Sequence, residues 1–178
     1  MPSVSTEAAV PGATSLEDQL VDFFDAHYGR MTRLAGLVCN DAWMAEDVVQ
    51  VAMEQAWRHR RSLRDAERLR SWIDRIVVRE AIRMNRRSSL RRGIQPLTDD
   101  HARALHDPRD GIGPAKLMLD AAFATLVVEQ RAAIVLHLHL GYTVSETARL
   151  MRASVETTRS RLRLARHRLR AAIGEESP

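Results

Sequence analysis

The stretch Tyr142–Leu169, YTVSETARLMRASVETTRSRLRLARHRL, constrains the fold of this chain more than any other. Its spacing predicts a short helix, a tight turn and a second, strongly basic helix. Thr143-Val144-Ser145-Glu146 has the spacing of a capping box, in which a hydroxyl and a carboxylate three residues on each take an N–H that a helix start leaves unpaired. Val144, Ala148 and Met151 share one face of the first helix, because residues three and four apart are neighbours. Arg152-Ala153-Ser154 has the length of the turn in a helix-turn-helix, and Ser154 suits the N-cap of the second helix. From there Val155, Thr158, Leu162, Ala165, Leu169 and Ile173 recur at three or four and make an inward stripe. Arg159, Arg163, Arg166 and Arg170 take the other side, with Ser160 beside them.

The second helix of such a unit presents its first turns to base edges in a DNA major groove. Arginine suits that face, since its planar fork pairs with guanine O6 and N7 or with phosphate. The competing reading is a solvated amphipathic helix in a bundle. Against it, Arg159, Arg161, Arg163, Arg166, Arg168 and Arg170 have no acid among them to relieve their repulsion. DNA binding is therefore the expectation.

Charge is sorted along the chain in a way that the net +4 over 178 residues conceals. Residues 1–57 carry Glu7, Glu17, Asp18, Asp22, Asp25, Asp41, Glu46, Asp47 and Glu54 against Arg30 and Arg33. Residues 58–92 reverse this, with arginines at 58, 60, 61, 64, 68, 70, 75, 79, 83, 86, 87, 91 and 92 against Asp65, Glu67, Asp74 and Glu80. An acidic segment followed by basic ones suggests a protein partner for the first and nucleic acid for the others.

Helical periodicity accounts for nearly all of the rest. Residues 1–15 read as a polar, disordered tail. Leu16, Leu20, Phe23 or Phe24, His27, Met31, Leu34 and Val38 form a first stripe, broken at Asn40-Asp41. A helix over about 42–59 buries Val49, Ala52 or Met53, and Ala56. Another over about 67–88 turns Leu69, Trp72 or Ile73, and Ile76 inward, with Ala81 and Met84 as further candidates. Its opposite side carries Arg75, Arg79, Arg83 and Arg86 or Arg87 at turn spacing. This rail is a second nucleic-acid candidate; the alternative is a face packed on an acidic neighbour within the same protein.

Periodicity collapses over Gly93–Pro114, where Pro, Gly and Asp dominate, so a linker is expected there. Helices at about 117–125 and 129–140 then lead into the helix-turn-helix. The fold class expected is all-α, with two small helical domains, residues 16–92 and 115–174, joined by a flexible linker at 93–114.

Several kinds of chemistry find no support. Cys39 is a lone cysteine, so neither an internal disulfide nor a cysteine-based zinc site is expected. His137 and His139 point to different sides of a helix and do not read as metal ligands. There is no Gly-rich phosphate loop and no nucleophile with a base nearby. No catalytic residue, metal or cofactor is expected. With neither a signal peptide nor an apolar run of membrane length, a cytoplasmic location is expected.

Over about residues 17–174 the pattern resembles bacterial RNA polymerase sigma factors of the extracytoplasmic-function (ECF) group of the sigma-70 family. Tyr142-Thr-Val-Ser-Glu-Thr-Ala, Ser154-Val-Glu-Thr-Thr-Arg-Ser-Arg-Leu and Ala165-Arg-His-Arg-Leu-Arg resemble the family's upstream-promoter-binding region. Ala45-Glu-Asp-Val-Val-Gln50 resembles the helix that docks on the polymerase clamp helices. Trp72-Ile-Asp-Arg-Ile76 and Arg86-Arg87 resemble the helix that engages the downstream promoter element. There are departures: Val51 stands where glutamate is usual, Arg79 and Arg83 where Asn and then Asp or Asn are common, Leu164 where a base is common, and Val127 where proline is frequent.

The resemblance implies a factor that binds core RNA polymerase, at its clamp helices and flap, and directs promoter recognition and opening. It implies polymerase contacts at Glu46, Asp47, Val48, Gln50, Val51 and Glu54. Upstream DNA contacts fall on Ser154, Val155, Glu156, Thr157, Arg159, Ser160 and Arg163, with the N–H groups of the helix start offered to a phosphate. Downstream contacts fall on Arg61, Arg64, Trp72, Arg75, Arg79, Arg83, Arg86 and Arg87. The linker, with Asp99, Asp100, Asp107 and Asp110, would run near the template strand. Members of the group are often held by an anti-sigma protein, which is admitted as a partner here. The rival reading is a stand-alone helix-turn-helix regulator acting as a dimer.

Overall fold

In the computed structural model of the chain, residues 15–63, 65, 68–92 and 114–174 are described. The expected tail, most of the linker with its four aspartates, and Arg64 lie outside them. The first helix, α1 (Leu16–Cys39), starts in a capping box that the sequence reading did not single out. Ser15 Oγ accepts the Asp18 N–H at 3.1 Å, and the Asp18 carboxylate accepts the Ser15 N–H at 3.2 Å. The helix ends at Asn40, in the left-handed region at φ 56°, where the short amide side chain is tolerated better than most. Asp41 then caps α2 (Ala42–His59) by accepting the Met44 N–H at 3.0 Å. One residue stops a helix and the next begins another, as the Asn40-Asp41 pair implies.

A 3₁₀ turn at Arg60–Ser62 leads toward α3 (Leu69–Arg92). Leu20, Phe24, Met31, Leu34 and Val38 of α1 meet Ala45, Val48, Val49, Ala52 and Ala56 of α2 and Leu69, Ile73, Val77, Val78 and Ala81 of α3. Each fully buried Leu, Ile or Val contributes about 1.5–3 kcal/mol, so this aliphatic three-helix core carries the first half of the chain. Ile76 and Met84, expected inside, are only half-buried against it.

The second half comprises α4 (Pro114–Ala124), α5 (Val128–Ile134), a π-helical turn at Val135–His139, α6 (Val144–Met151) and α7 (Val155–Ala172). The single helix expected over 129–140 therefore changes its winding halfway. Leu140 N–H reaches back five residues to the Val135 carbonyl at 2.9 Å, and Tyr142 N–H reaches Leu136 O at 3.0 Å. Gly141, at φ 76°, provides the exit.

The two halves share one apolar core, with Ile134, Val135 and Leu136 in the same cluster as Val38 and Val78. Polar contacts between the halves fix how they meet. Arg131, 4% exposed, donates to Val38 O at 2.8 Å, Cys39 O at 3.2 Å and, within its own half, Leu126 O at 2.5 Å. Arg79 of α3 donates to Leu150 O at 2.9 Å and Arg149 O at 3.0 Å. Tyr142 donates its hydroxyl to Asp74 at 2.7 Å. Asp74 is completely buried and also receives both arms of Arg30, at 2.6 and 2.7 Å. Burial lowers the pKa of Arg79 and of Arg131 to about 10, so both remain cationic at neutral pH.

Two consequences can be measured. Arg131→Met removes the side-chain donor of the Val38 and Leu126 carbonyls, while Cys39 O keeps Asn85 at 3.0 Å, and should lower stability by about 3 kcal/mol, read as a fall in the urea midpoint. Burial also pushes the Cys39 thiol up to about 12. At pH 8 that thiol is almost wholly protonated in the folded chain, so iodoacetamide should leave it unlabelled in the native protein and label it readily in urea.

Candidate nucleic-acid interface

The helix-turn-helix is built as its spacing requires. Thr143 Oγ1 accepts the Glu146 N–H at 3.2 Å, and the Glu146 carboxylate accepts from the Thr143 hydroxyl at 2.7 Å and from its N–H at 2.8 Å, which hold that carboxyl below the usual range. Arg152, left-handed at φ 52°, turns the chain out of α6, and its N–H closes on the Arg149 carbonyl at 3.3 Å. Ser154 caps α7 through its Oγ, which accepts the Thr157 N–H at 3.0 Å. Thr158, Leu162 and Ala165 are buried beneath it, and Val155 and Leu169 are half-buried, while Ile173 at the end of the stripe is exposed.

The opposite face of α7 is open. Ser154, Glu156, Thr157, Arg159, Ser160 and Arg163 are all exposed. Glu156 lies 3.6 Å from the Arg159 guanidinium, a surface pair worth little energy that leaves Arg159 able to turn toward another acceptor. The cationic face thus has donors in its first two turns, where a major groove would meet it. Farther along, Arg168 turns back to the protein and donates to Gln130 at 2.9 Å.

The α3 rail is different. Arg75 is half-buried and Arg87 exposed. Arg79 is engaged with the α6 carbonyls, Arg83 donates to the buried Glu80 at 2.8 Å, and Arg86 donates to Glu129 at 2.6 Å. Three of its arginines therefore have partners within the protein, although Arg83 and Arg86 remain exposed. Glu80, which also accepts from Gln55 at 2.8 Å, is a buried acid that the sequence reading only counted in the charge of its segment. Trp72 is only 7% exposed. It faces a cavity of about 620 Å³ between the halves, walled by Leu63, Arg68 and Arg75 on one side and Tyr142, Arg149 and Leu150 on the other. Arg61 is exposed at the 3₁₀ turn, whose Arg60 is tied to Glu17 at 2.7 Å.

On α2, Glu46, Asp47, Gln50 and Glu54 are exposed along one face and Val51 is half-buried beside them. Val48 does not belong to that face: it is fully buried against α1 and α3 and acts as core. The sequence reading passed over Trp43, which is 79% exposed. Its signal was spacing, since it precedes Glu46 by three residues, Asp47 by four and Gln50 by seven, and so extends the acidic face with an aromatic ring. Among the described residues no cluster of His, Cys, Asp and Glu could hold a metal, and no helix is long and apolar enough to cross a membrane.

Comparison with known proteins agrees with this architecture. Residues 23–91 match the model of Sigma-70 region 2, and residues 116–169 match that of Sigma-70 region 4. The ECF RNA polymerase sigma factor SigM of Mycobacterium tuberculosis is 34% identical over 167 residues, covering 94% of this chain and 82% of that protein. SigL of the same organism, also an ECF RNA polymerase sigma factor, is 31% identical over 172 residues, covering 94% of this chain and 97% of SigL. Among solved structures, the fold is similar to that of the sigma factor RpoE of Bartonella quintana in its complex with the anti-sigma factor NepR. The TM-score is 0.69 at 22% identity, covering 88% of this chain and 99% of that one. CnrH, solved with the cytosolic domain of CnrY, is similar at a TM-score of 0.59 and 21% identity, covering 89% of each chain. Two sigma-70 regions in order, on an all-α fold of two helical domains, with relatives matched along nearly their whole length, identify the chain as a member of the ECF group of sigma-70 RNA polymerase sigma factors.

Proposed function

We propose that this sigma factor docks on core RNA polymerase through the exposed face of α2 and reads its promoter with two separate surfaces. Glu46, Asp47, Gln50 and Glu54 supply the polar part of the docking face, with Val51 at its edge, and Trp43 supplies an aromatic anchor of the kind that dominates protein interfaces. Arg159, Ser160 and Arg163 read the upstream element, and the start of α7 from Ser154 to Thr157 grips a phosphate. Arg61, Trp72, Arg75 and Arg87 belong to the downstream surface, which Arg79, Arg83 and Arg86 join when their present partners are withdrawn. Residues 16–92 and 115–174 act as the two functional units, joined by 93–114. The chain performs no catalysis of its own and works in the cytoplasm; an anti-sigma protein, such as NepR in the RpoE complex, is a fitting regulator.

The observation that carries this reading is the separation of an acidic α2 face from a cationic α7 face, both exposed on one chain. A self-sufficient repressor needs no such division. The test is a gel shift on promoter DNA with and without core polymerase. The free chain should bind weakly and without strong preference, and the complex specifically; Asp47→Arg should abolish the polymerase-dependent shift while leaving helicity unchanged. Tight, specific footprinting of a palindrome by the chain alone would remove the reading in favour of a dimeric regulator.

Base readout and phosphate attraction can also be separated along α7. A bidentate arginine–guanine contact is worth about 1–3 kcal/mol of discrimination, whereas a phosphate contact carries no direct sequence information. Arg159→Ala should therefore relax the preference at one or two upstream positions, measured by transcription on a promoter library randomised there. Arg170→Ala, about three turns farther on, should at most weaken all promoters alike and flatten the salt dependence of binding.

A further inference from the structure

Helix α7 carries six arginines, at 159, 161, 163, 166, 168 and 170, and a single acid, Glu156. That acid stands in the first turn, on the open face, with its side chain 80% exposed. The helix start does not depend on it for capping, since Ser154 Oγ already accepts the Thr157 N–H at 3.0 Å. Its ion-pair partner, Arg159, lies 3.6 Å away, too far for a hydrogen bond. A carboxylate in the turn that meets DNA first repels phosphates and weakens binding to all sequences alike, unless the groove offers it something specific.

What the groove can offer is set by the base edges. An ionised carboxylate only accepts hydrogen bonds. Guanine presents N7 and O6 in the major groove and thymine presents O4, all of them acceptors, so neither base suits it. The N6 amino group of adenine lies between two acceptors, its own N7 and O4 of the paired thymine. The N4 amino group of cytosine has an acceptor on one side only, O6 of the paired guanine, and so receives a carboxylate with the least repulsion. Spacing adds a second constraint. Glu156 and Arg159 are three residues apart, which is about 4.5 Å along a helix axis, comparable with the rise of about 3.4 Å from one base pair to the next. From this geometry we infer that Glu156 is a specificity-determining residue of this sigma factor, accepting from N4 of a cytosine in the base pair next to the one that Arg159 contacts. The inference rests on the assignment of the α7 face to the upstream element under the proposed function. It also gives the loose Glu156–Arg159 pair a role: the two groups shield each other in the free chain, and each turns to its own base on docking.

The test uses holoenzyme assembled from the full-length chain and core RNA polymerase, on a promoter library randomised across the upstream element. The wild type should prefer cytosine at one position by roughly tenfold. Glu156→Ala should erase that preference, leave the other positions as they are, and bind promoters lacking the cytosine more tightly than the wild type does. Glu156→Gln keeps the length of the side chain and removes its charge. Because glutamine pairs with N6 and N7 of adenine, the preferred base at that position should move from cytosine to adenine. An acid that serves only the helix dipole would change the urea midpoint and act on all promoters alike. That result, an unchanged base profile in both Glu156 variants, overturns the inference. Arg159→Ala shows which assignment has failed. If it relaxes a position while the Glu156 variants relax none, the glutamate inference alone falls. If none of the three variants alters the upstream preference, the assignment of the α7 face falls and takes the inference with it.

Discussion

A carboxylate taken wholly out of water must have its hydration replaced group by group, and Asp74 is taken wholly out of water. Its two oxygens receive both arms of Arg30 and the hydroxyl of Tyr142, one partner from α1 and one from the approach to α6. The seating of α1 on α3 and of the second domain upon them therefore converges on one side chain. The reciprocal effects are visible in its partners. The Arg30 guanidinium is held more firmly protonated by the hydrogen-bonded carboxylate, and Tyr142 is pushed well above the ordinary phenol range, first by burial and then by its bond to Asp74. Assembling a buried ion pair costs much of the attraction it gains, and apolar packing of the same volume is often as stable. What the charge adds is direction: only one seating of Tyr142 satisfies it.

The parts of this fold that could be read in the sequence are those decided within a few residues. Thr143 with Glu146, Ser154 with its α7 amides and Asp41 with Met44 are local hydrogen bonds whose partners are set by helical spacing, and each forms where the spacing puts it. The inward stripes of α1 and α7 arise for the same reason. What could not be read depends on which helix lies against which. Asp74 and Glu80 look like ordinary surface acids in a basic segment until Arg30, Tyr142, Gln55 and Arg83 are brought to them. Val48 is fully buried and Val51 half-buried, a distinction that three valines within four residues do not announce. Arg131 sits in an apolar helix, and nothing within α5 indicates that carbonyls of α1 are waiting for it. Of the candidate sites, the exposure of the α7 face followed from its spacing, apart from the half-buried Val155; the α3 rail was legible as charge but not as contact.

The distribution of arginine also explains how one residue type serves opposed ends here. On α7 the guanidinium groups at 159 and 163 stand in water, where mutual repulsion is screened and an incoming phosphate is attracted. On α3 and α5 the same group is committed to carbonyls, its planar fork reaching two or three acceptors at once where a lysine ammonium would hold only a point. Net charge is therefore a poor guide to where a polyanion will bind this molecule.

The wide turn at Val135–His139 has a consequence for how the reading head is aimed. A π-helical turn admits one more residue than an α-helical turn of the same rise. Chain length can therefore change by one at this point while the exit through Gly141 keeps its place. His137, half-buried in this turn, lies with its Nδ1 2.7 Å from the Tyr142 carbonyl and ties the turn to the chain's exit. A sequence shorter by a single residue here could wind as a plain α-helix and still deliver the helix-turn-helix in register, whereas the same deletion inside α7 would rotate every later side chain by about 100° and turn its arginines into the core. The molecule thus has one joint that tolerates a change of length, immediately before the element that tolerates none.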